Sequence, residues 1–365
     1  MKCPRCLNEE QKYFYLGEKG YYCRRCILFG RIYFDGEFDE SKILNKELEA
    51  EYELGFQLTE AQENCSKEIN KMIKHSDVLV YAACGVGKTE LVLEAISDYL
   101  SKGKRVGFAI PRRQVVLELQ KRMAQYFKQL KVIKVCGGYT KEVEGDLIIC
   151  TTHQLYRYRY YFDLLILDEP DAYPYYGSSV LQGIAKTSCK GRKIFLSATP
   201  DAELLKLPKV TLFKRPHEYP LNVPEVKIGF AWYLSLRLIC FMYQNKRNLI
   251  FVPTISLAER MAKIFHTACL HSKTEEKEII LEKFDKNEIN TLFCTTILER
   301  GVTIENVNVC IWQANHRVYS EASLIQILGR IGRSVHYPMG KGLLLCNEKS
   351  ENVFKCIQTL KMMNA

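Results

Sequence analysis

The chain has 365 residues, of which 47% are hydrophobic and 26% are charged. This composition is typical of a globular protein of about two domains, and it excludes a disordered chain or a disulfide-stapled miniprotein. The formal net charge is +10, and the excess lies beyond residue 56, because residues 1–56 hold 9 basic and 11 acidic side chains. A basic balance favours a phosphate-rich partner, and a mildly basic enzyme without such a partner is the alternative.

Hydropathy and cysteine usage bear on the location of the protein. No apolar run approaches the roughly 18–20 residues that span a bilayer, and the first residues lack the apolar segment of a secretory signal. The most apolar later stretch, residues 231–243, contains Arg237 and predicts a core helix. Eleven of the 15 cysteines are scattered, mostly in apolar runs. They favour a reducing cytosol and small buried thiols.

Residues 1–40 are polar and turn-rich, and they are too few to hold a core without a staple. They contain two Cys-x-x-Cys pairs separated by 16 residues, formed by Cys3, Cys6, Cys23 and Cys26. This spacing predicts a structural zinc site closed by four thiolates. Redox dithiols are the alternative, but they would be expected beside a thioredoxin-like unit. Three neighbouring arginines could contact phosphate or simply form surface: Arg5, Arg24 and Arg25.

The remaining chain reads as a charged helical linker, residues 41–56, followed by two α/β domains, residues 57–215 and 216–365. Apolar runs that predict buried parallel strands alternate with amphipathic segments. In the first domain the strands are 78–81, 106–110, 147–149, 164–167 and 193–196, with helices at 88–100 and 113–126. In the second they are 249–252, 291–294, 307–312 and 342–346, with helices ending near Phe265 and covering 321–328. A proline-containing stretch, residues 201–226, marks the boundary.

A glycine-containing loop joins the predicted strand 78–81 to the following helix. Its residues run Ala82-Ala-Cys-Gly85-Val86-Gly87-Lys88-Thr89. Strand, glycine loop, Lys-Thr and helix together predict a phosphate loop that binds ATP, although the strict pattern has Gly where this chain has Ala82. Lys88 would reach the β- and γ-phosphates, and the Thr89 hydroxyl would ligate Mg²⁺. The alternative is a tight strand–helix turn.

A buried strand ends in two adjacent carboxylates, Asp168 and Glu169. Asp168 would hold Mg²⁺ through water, since Mg²⁺ keeps several of its waters. Glu169 could orient and deprotonate an attacking water. A solvated strand end is the alternative, but the phosphate loop upstream favours the catalytic interpretation.

At these residues the chain resembles superfamily 2 helicases. Asp168-Glu169-Pro170-Asp171 is similar to their DEAD/DEAH signature. Seven further segments resemble the other motifs of that superfamily, in the same order: residues 58–62, 111–113, 151–155, 197–199, 251–254, 295–303 and 326–333. Within the superfamily, the paired cysteines and residues 151–174 and 295–303 resemble the late competence protein ComFA family. That family imports single-stranded DNA during bacterial transformation.

The resemblance implies a fold of two tandem RecA-like domains with ATP between them. It implies that Gln62 reads adenine, that Gly301 and Gln326 contact the nucleotide, and that Arg330 and Arg333 act with Lys88, Asp168 and Glu169 in hydrolysis. Contacts to the nucleic-acid backbone are expected from Arg112, Thr151, Thr152, Thr254 and Thr295. A capping or turn role is an equal alternative for each of these five.

Residues 151–155 resemble motif Ib of the superfamily, and an unusual run follows them, Tyr156-Arg157-Tyr158-Arg159-Tyr160-Tyr161. Aromatic rings interleaved with arginines can stack on bases and neutralise phosphates. The same alternation could equally cover one side of a surface loop.

The resulting prediction is an ATP-driven single-stranded DNA translocase that uses ATP, Mg²⁺ and Zn²⁺ and has no transmembrane segment. Other competence proteins and a membrane DNA-uptake channel are expected partners, in the cytoplasm or at the inner face of the cell membrane. One alternative is a DNA or RNA helicase in repair, replication restart or RNA remodelling. Another is a nucleic-acid-binding adaptor that does not hydrolyse ATP.

Overall fold

The computed structural model describes residues 1–34, 47–299 and 304–365. These form two compact units. The first comprises Met1–Ala82 and Lys88–Leu212, and the second comprises Ala83–Gly87 and Phe213–Ala365. The sequence prediction places its domain boundary after residue 215. Among the described residues, no helix combines the length and the apolar character that a bilayer crossing requires.

The N-terminal segment of the first unit is a small module built on a two-stranded antiparallel hairpin. Strand β1 (Phe14–Gly17) pairs with β2 (Gly20–Cys23). The four paired cysteines are buried at its centre, with Phe14 and Phe34 packed against them. We call the described residues 1–34 the zinc module. Residues 35–40 of the predicted module and 41–46 of the predicted linker lie outside the described residues.

The main part of the first unit is a seven-stranded, wholly parallel sheet. Its strands are β3 (Val78–Ala82), β4 (Val106–Ile110), β5 (Val132–Val135), β6 (Leu147–Thr151), β7 (Phe162–Asp168), β8 (Cys189–Ser197) and β9 (Lys209–Leu212). The order across the sheet is β5-β6-β4-β7-β8-β3-β9. Its helices are α1 (Glu60–Met72), α2 (Leu93–Ser101), α3 (Arg113–Tyr126) and α4 (Ser179–Ser188).

The central strands of this sheet form because their residues are apolar on both sides, as in a sheet covered by helices. Every residue of β4 and β6 is buried. Helix α1 begins with a capping box in which the Gln62 amide donates to the Thr59 hydroxyl and the Gln62 side-chain carbonyl accepts from the Thr59 amide.

The second unit contains a six-stranded parallel sheet in the order β10-β15-β14-β11-β13-β12. The strands are β10 (Glu225–Ile228), β11 (Asn248–Phe251), β12 (Ala268–Leu270), β13 (Thr291–Cys294), β14 (Asn308–Trp312) and β15 (Gly342–Cys346). The helices are α5 (Ala231–Gln244), α6 (Ile255–Ile264), α7 (Lys277–Asp285), α8 (Glu321–Leu328) and α9 (Glu351–Met363). The sequence predicted two parallel α/β domains preceded in the chain by a small cysteine-containing module, and this prediction is confirmed.

Three local predictions differ from the structure. The linker helix is wrong for residues 47–56, which contain no helix. The helix predicted from Lys88 begins as a 3-10 turn, Glu90–Val92, before α2. The core helix predicted over 231–243 is a helix, but only Leu234, Leu238 and Phe241 of α5 are buried. Its other face is open, with Trp232 67% exposed, because a long apolar run does not require burial on every side.

Candidate functional site

The loop after β3 has the backbone of a phosphate loop. Gly85 and Gly87 have φ values of 85° and 79°, in the left-handed region that glycine adopts at no steric cost. Such turns direct successive backbone amides into one concavity, which suits a phosphate anion. The Lys88 ammonium donates to the carbonyl of Ala82 at 3.2 Å, so the side chain arches back over the loop. Backbone and lysine together fit the phosphates of a nucleotide.

Thr89, the predicted Mg²⁺ ligand, is 8% exposed and has a neighbour that the sequence did not reveal. Its hydroxyl accepts a hydrogen bond from Arg122 Nη2 at 3.1 Å. The same guanidinium lies 3.7 Å from the buried Glu90 carboxylate, which also accepts from the Tyr126 hydroxyl. Arg122 and Tyr126 lie on α3, and no sequence motif marks them. The hydroxyl retains a second lone pair for a cation.

The two predicted acidic residues lie at the carboxyl end of β7. Burial, reinforced by the neighbouring charge of Glu169 and opposed by Lys88, raises the pKa of Asp168 to about 7. Asp168 Oδ1 is buried and has no hydrogen-bond partner among the described residues. A buried carboxylate oxygen of this kind is costly unless a cation or donor satisfies it. Its donor chemistry fits Mg²⁺, which prefers oxygen ligands.

Asp171, two residues beyond Glu169, is joined to the end of β8. Its carboxylate accepts from the Ser197 hydroxyl at 2.6 Å and from the Thr199 hydroxyl at 2.8 Å. The Thr199 amide donates to the Ser197 hydroxyl at 3.0 Å. This network fixes the loop after β7, and with it the Asp168-Glu169 pair, against the neighbouring strand.

The predicted nucleic-acid residues all follow strand ends. In the first unit, Arg112 precedes α3, Thr151 ends β6, and Thr152 is 1% exposed at the start of a 3-10 turn. In the second unit, Thr254 caps α6 by accepting from the Leu257 amide at 3.3 Å, and Thr295 follows β13. Each sheet is parallel, so these residues lie at its ligand-binding edge. Burial of Thr152 leaves little of its hydroxyl available to a ligand.

The tyrosine–arginine run does not form one alternating surface. Tyr158 is 4% exposed, and its hydroxyl donates to the Val143 carbonyl at 2.9 Å. Tyr161 packs against the core and carries the Arg105 guanidinium 4.3 Å from its ring centre. Neither the base-stacking nor the surface-loop interpretation describes these two rings, because Tyr158 belongs to the core of the first unit and Tyr161 packs against that core.

The predicted residues of the second unit differ in exposure. Arg330 is 3% exposed, whereas Arg333 is exposed. The Gln326 side-chain carbonyl accepts from the Cys84 thiol at 3.2 Å, and both residues belong to this unit. Gly301 lies outside the described residues. Gln62 is the residue predicted to read adenine. In the structure its side-chain carbonyl already accepts a hydrogen bond from the Thr59 amide, in the capping box of α1.

A buried arginine of the second unit, Arg215, was missed by sequence reasoning. It is 2% exposed and is surrounded by backbone carbonyls, which accept from its guanidinium at 2.7–3.1 Å. These carbonyls belong to Cys84, Gly329, Ile331 and Gly332. Three of these residues lie between Gln326 and Arg333 in sequence, and Cys84 belongs to the phosphate loop. Arg215 therefore fixes backbone next to several predicted site residues, a role with no local sequence signal.

The four cysteines of the zinc module meet the geometric requirement for zinc. Their sulfurs all lie within 4.8 Å of one another, with 3.7 Å between Cys3 and Cys26 and 3.8 Å between Cys6 and Cys23. Four sulfurs at about 2.3 Å from a tetrahedral zinc ion would stand about 3.8 Å apart. All four are buried, so the site has no open coordination position and suits a structural metal.

Most of the scattered cysteines are buried, as predicted, and Cys240 is the exposed exception among those described. Burial raises the pKa of the Cys189 thiol to about 11, so it stays protonated and unreactive at neutral pH.

Comparison with known proteins defines the class of this chain. A family model described as the res subunit of type III restriction enzymes matches residues 55–202, and a model of the helicase conserved C-terminal domain matches residues 234–335. The structure of S. cerevisiae Dbp5 bound to RNA and ADP BeF3 has a TM-score of 0.63 and 17% identity, over 85% of this chain and 88% of that one. That similarity shows the fold alone. The two family models make the chain a helicase-type protein of superfamily 2.

Two curated relatives identify the family. Competence protein ComFA of Streptococcus pneumoniae is 34% identical over 99% of this chain and 90% of its own length. Competence protein ComFA of Bacillus subtilis is 31% identical over 100% of this chain and 85% of its own. The chain belongs to the ComFA family of competence proteins, which confirms the resemblance drawn from the motifs.

Proposed function

We propose that this protein is an ATP-driven single-stranded DNA translocase that acts in DNA uptake during natural transformation. The observation that carries the proposal is a phosphate loop and a half-buried acidic pair in a chain of the ComFA family. Competence proteins and a membrane DNA-uptake channel are the proposed partners. We propose that it acts in the cytoplasm, at the inner face of the cell membrane.

The residues of the first unit would prepare a bound nucleotide for hydrolysis. Magnesium and ATP supply, when bound, a polarised terminal phosphoryl group. The Lys88 ammonium, now on the Ala82 carbonyl, would exchange that contact for phosphate oxygens. Asp168 and Thr89 would hold the ion, and Asp168 would then lose the proton that its raised pKa favours. Glu169 would orient and deprotonate water, and Arg330 and Arg333 would stabilise charge on the transferring group.

The first test measures steady-state ATP hydrolysis with and without single-stranded DNA. We expect stimulation of the wild type and loss of activity on the order of a hundredfold or more in Lys88→Ala, since the variant lacks the phosphate-bound cation. Lys102→Ala, which changes an exposed lysine paired with Asp98, is the matched control. Hydrolysis by Lys88→Ala at the wild-type rate would contradict the proposal.

A second measurement separates translocation from strand separation. The helicase C-terminal model that matches residues 234–335 is the observation that favours a duplex-unwinding function. We expect ATPase stimulation by single-stranded DNA to exceed that by RNA, and we expect no unwinding of a blunt duplex. Efficient unwinding with equal stimulation by RNA would favour the helicase. A Glu169→Gln protein that hydrolyses ATP as fast as wild type would contradict the assigned base, and a wild type that binds nucleic acid without hydrolysing ATP would favour the adaptor.

A further inference from the structure

The zinc module packs directly on α4 of the first unit. Gly183 of α4 faces the backbone of Cys6, and a Cβ atom at Gly183 would lie 2.0 Å from the Cys6 carbonyl oxygen. The Thr187 hydroxyl donates to the Arg5 carbonyl at 2.7 Å, and Arg25 donates to the Ser179 hydroxyl at 3.0 Å. This close approach requires a residue without a side chain at 183. The metal ligands and α4 therefore form one packed body.

The same docking brings the zinc module to the segment that follows motif Ib. The Phe29 ring lies 5.1 Å from the Tyr156 ring, centre to centre. The Arg5 guanidinium lies 5.8 Å from the centre of the Tyr156 ring, and the Arg157 guanidinium lies 5.0 Å from it. Tyr156 thus carries two cations, one from the zinc module and one from its own segment. Attraction between guanidinium groups and an aromatic face holds both in place.

Neither guanidinium pairs with a carboxylate of the residues that the structure describes. No Asp or Glu oxygen of the described residues lies within 4.0 Å of either guanidinium. Arg5 Nη1 donates to the Gly30 carbonyl and Arg157 Nε to the Gln154 side chain, so most N–H groups of both side chains are uncommitted within the described chain. Both guanidinium groups lie against the same ring, so an anion bound at this ring would be attracted by two positive charges. Planar guanidinium groups match the oxygens of a phosphate.

The other arginines of the zinc module are placed differently. Arg25 is bound to Glu10, Asn8 and Ser179. Arg24 lies 4.3 Å from the centre of the Tyr15 ring, on the β1–β2 hairpin. Of the three arginines that adjoin the cysteines, only Arg5 lies on the Tyr156 ring.

We propose that Arg5 and Arg157, held on Tyr156, form a contact for a backbone phosphate of single-stranded nucleic acid, and that docking of the zinc module on α4 completes it. The inference rests on the proposed function and deepens it, because it gives the zinc module a defined part in gripping the strand. The site lies directly after Thr151 and Thr152, whose motif already predicts a backbone contact.

The first experiment measures binding of a labelled oligothymidine to the full chain at several salt concentrations. We expect Arg5→Ala and Arg157→Ala each to weaken binding about three- to tenfold. Each should also reduce the slope of log affinity against log salt by about 0.7, the value for one phosphate on a single strand. Arg24→Ala is the matched control, since it removes the same charge beside a cysteine ligand and from a tyrosine face. Equal losses in all three variants would overturn the proposal.

The second experiment separates docking from metal binding. Gly183→Ala adds one methyl group where the Cys6 backbone lies, so we expect the module to shift, binding to fall as in Arg5→Ala, and zinc to stay bound. Gly55→Ala is the control, because nothing lies within 4 Å of its Cβ position. Zinc content per chain is measured for every variant. If Arg5→Ala loses zinc, Arg157→Ala still tests the site, since it lies outside the zinc module.

The outcomes distinguish this inference from the proposed function. A wild type that binds oligothymidine, with Arg157→Ala and Gly183→Ala binding equally well, would overturn the phosphate contact and leave the translocase standing. A wild type that neither binds oligothymidine nor responds to it in ATP hydrolysis would overturn the proposed function itself.

Discussion

The two α/β units have similar parallel sheets but carry different side chains at their strand ends. In the first unit, β7 ends in Asp168, followed by Glu169, and Lys88 supplies a cation. In the second unit, β11 and β13 lead to Thr254 and Thr295. A parallel sheet presents all its carboxyl ends at one edge, so either unit could hold a ligand there.

In both units, different residues therefore specify the scaffold and the chemistry. Apolar strands fix the two sheets, and the few residues after each strand decide what the edge can bind. The first unit carries the acids and the lysine expected of phosphoryl chemistry. The second carries hydroxyls, with Arg330 and Arg333 after α8.

The largest expected effect concerns an arginine of the second unit. Arg333→Ala should lower the ATP hydrolysis rate by about a thousandfold or more if its charge stabilises the transferring phosphoryl group. Nucleotide affinity should change far less, because the effect belongs to the transition state. Steady-state kinetics and nucleotide titration measure the two quantities. Arg317→Ala, at another exposed arginine of this unit, is the control. A normal rate in Arg333→Ala would show that the Arg333 charge does not act on the transferring group.

Next in size is the buried arginine that supports the second unit. Arg215→Ala should lower the free energy of unfolding by about 3 kcal/mol, because four backbone carbonyls lose their donor. Arg215→Lys should recover part of this loss, since an ammonium can serve only some of the carbonyls. Urea denaturation followed by tryptophan fluorescence reports on this unit, which contains Trp232 and Trp312. An unchanged free energy of unfolding in Arg215→Ala would contradict the structural role of Arg215.

A smaller effect depends on pH in the first unit. The pKa of Asp168 is raised to about 7 in the folded protein, so folding favours its protonated form. Between the unfolded pKa of about 4 and the folded value, the native state binds more protons, and stability falls as pH rises. Asp168→Asn should remove this loss and be more stable than wild type by about 1–3 kcal/mol above pH 7.

Denaturation of nucleotide-free protein at about pH 4, 6 and 8 measures the Asp168 effect. The gap between Asp168→Asn and wild type should widen through this range and then level off. A gap independent of pH would contradict the burial of this carboxylate as the cause.

The smallest predicted effect separates a cap from a ligand contact in the second unit. Thr254→Ala should cost about 1 kcal/mol of stability, because the Leu257 amide loses its acceptor. Thr254→Asp keeps a capping oxygen but adds a negative charge. It should remain stable while weakening oligothymidine binding, if this strand end meets a phosphate backbone. Normal binding by Thr254→Asp would leave Thr254 with the capping role alone.

The sequence predicted some elements correctly and others not. It predicted α3 at its observed bounds, and it predicted β4 and β13, because apolar runs and helical periodicity are local properties. The helix over residues 47–56 was wrong, because charged composition permits a helix without requiring one. The partner of Thr89 could not be predicted, because Arg122 lies 33 positions away and no motif links them.

The two parallel sheets, the family and the spacing of the cysteines and of the Gly-x-Gly-Lys-Thr loop could be recognised before folding, since they depend on residue order over short distances. Folding of the whole chain was needed to bring Gly183 to the Cys6 backbone and Arg5 to Tyr156, and to enclose Arg215 in carbonyls. Those contacts join positions more than a hundred residues apart, and they follow from how the packed surfaces meet, which local pattern does not encode.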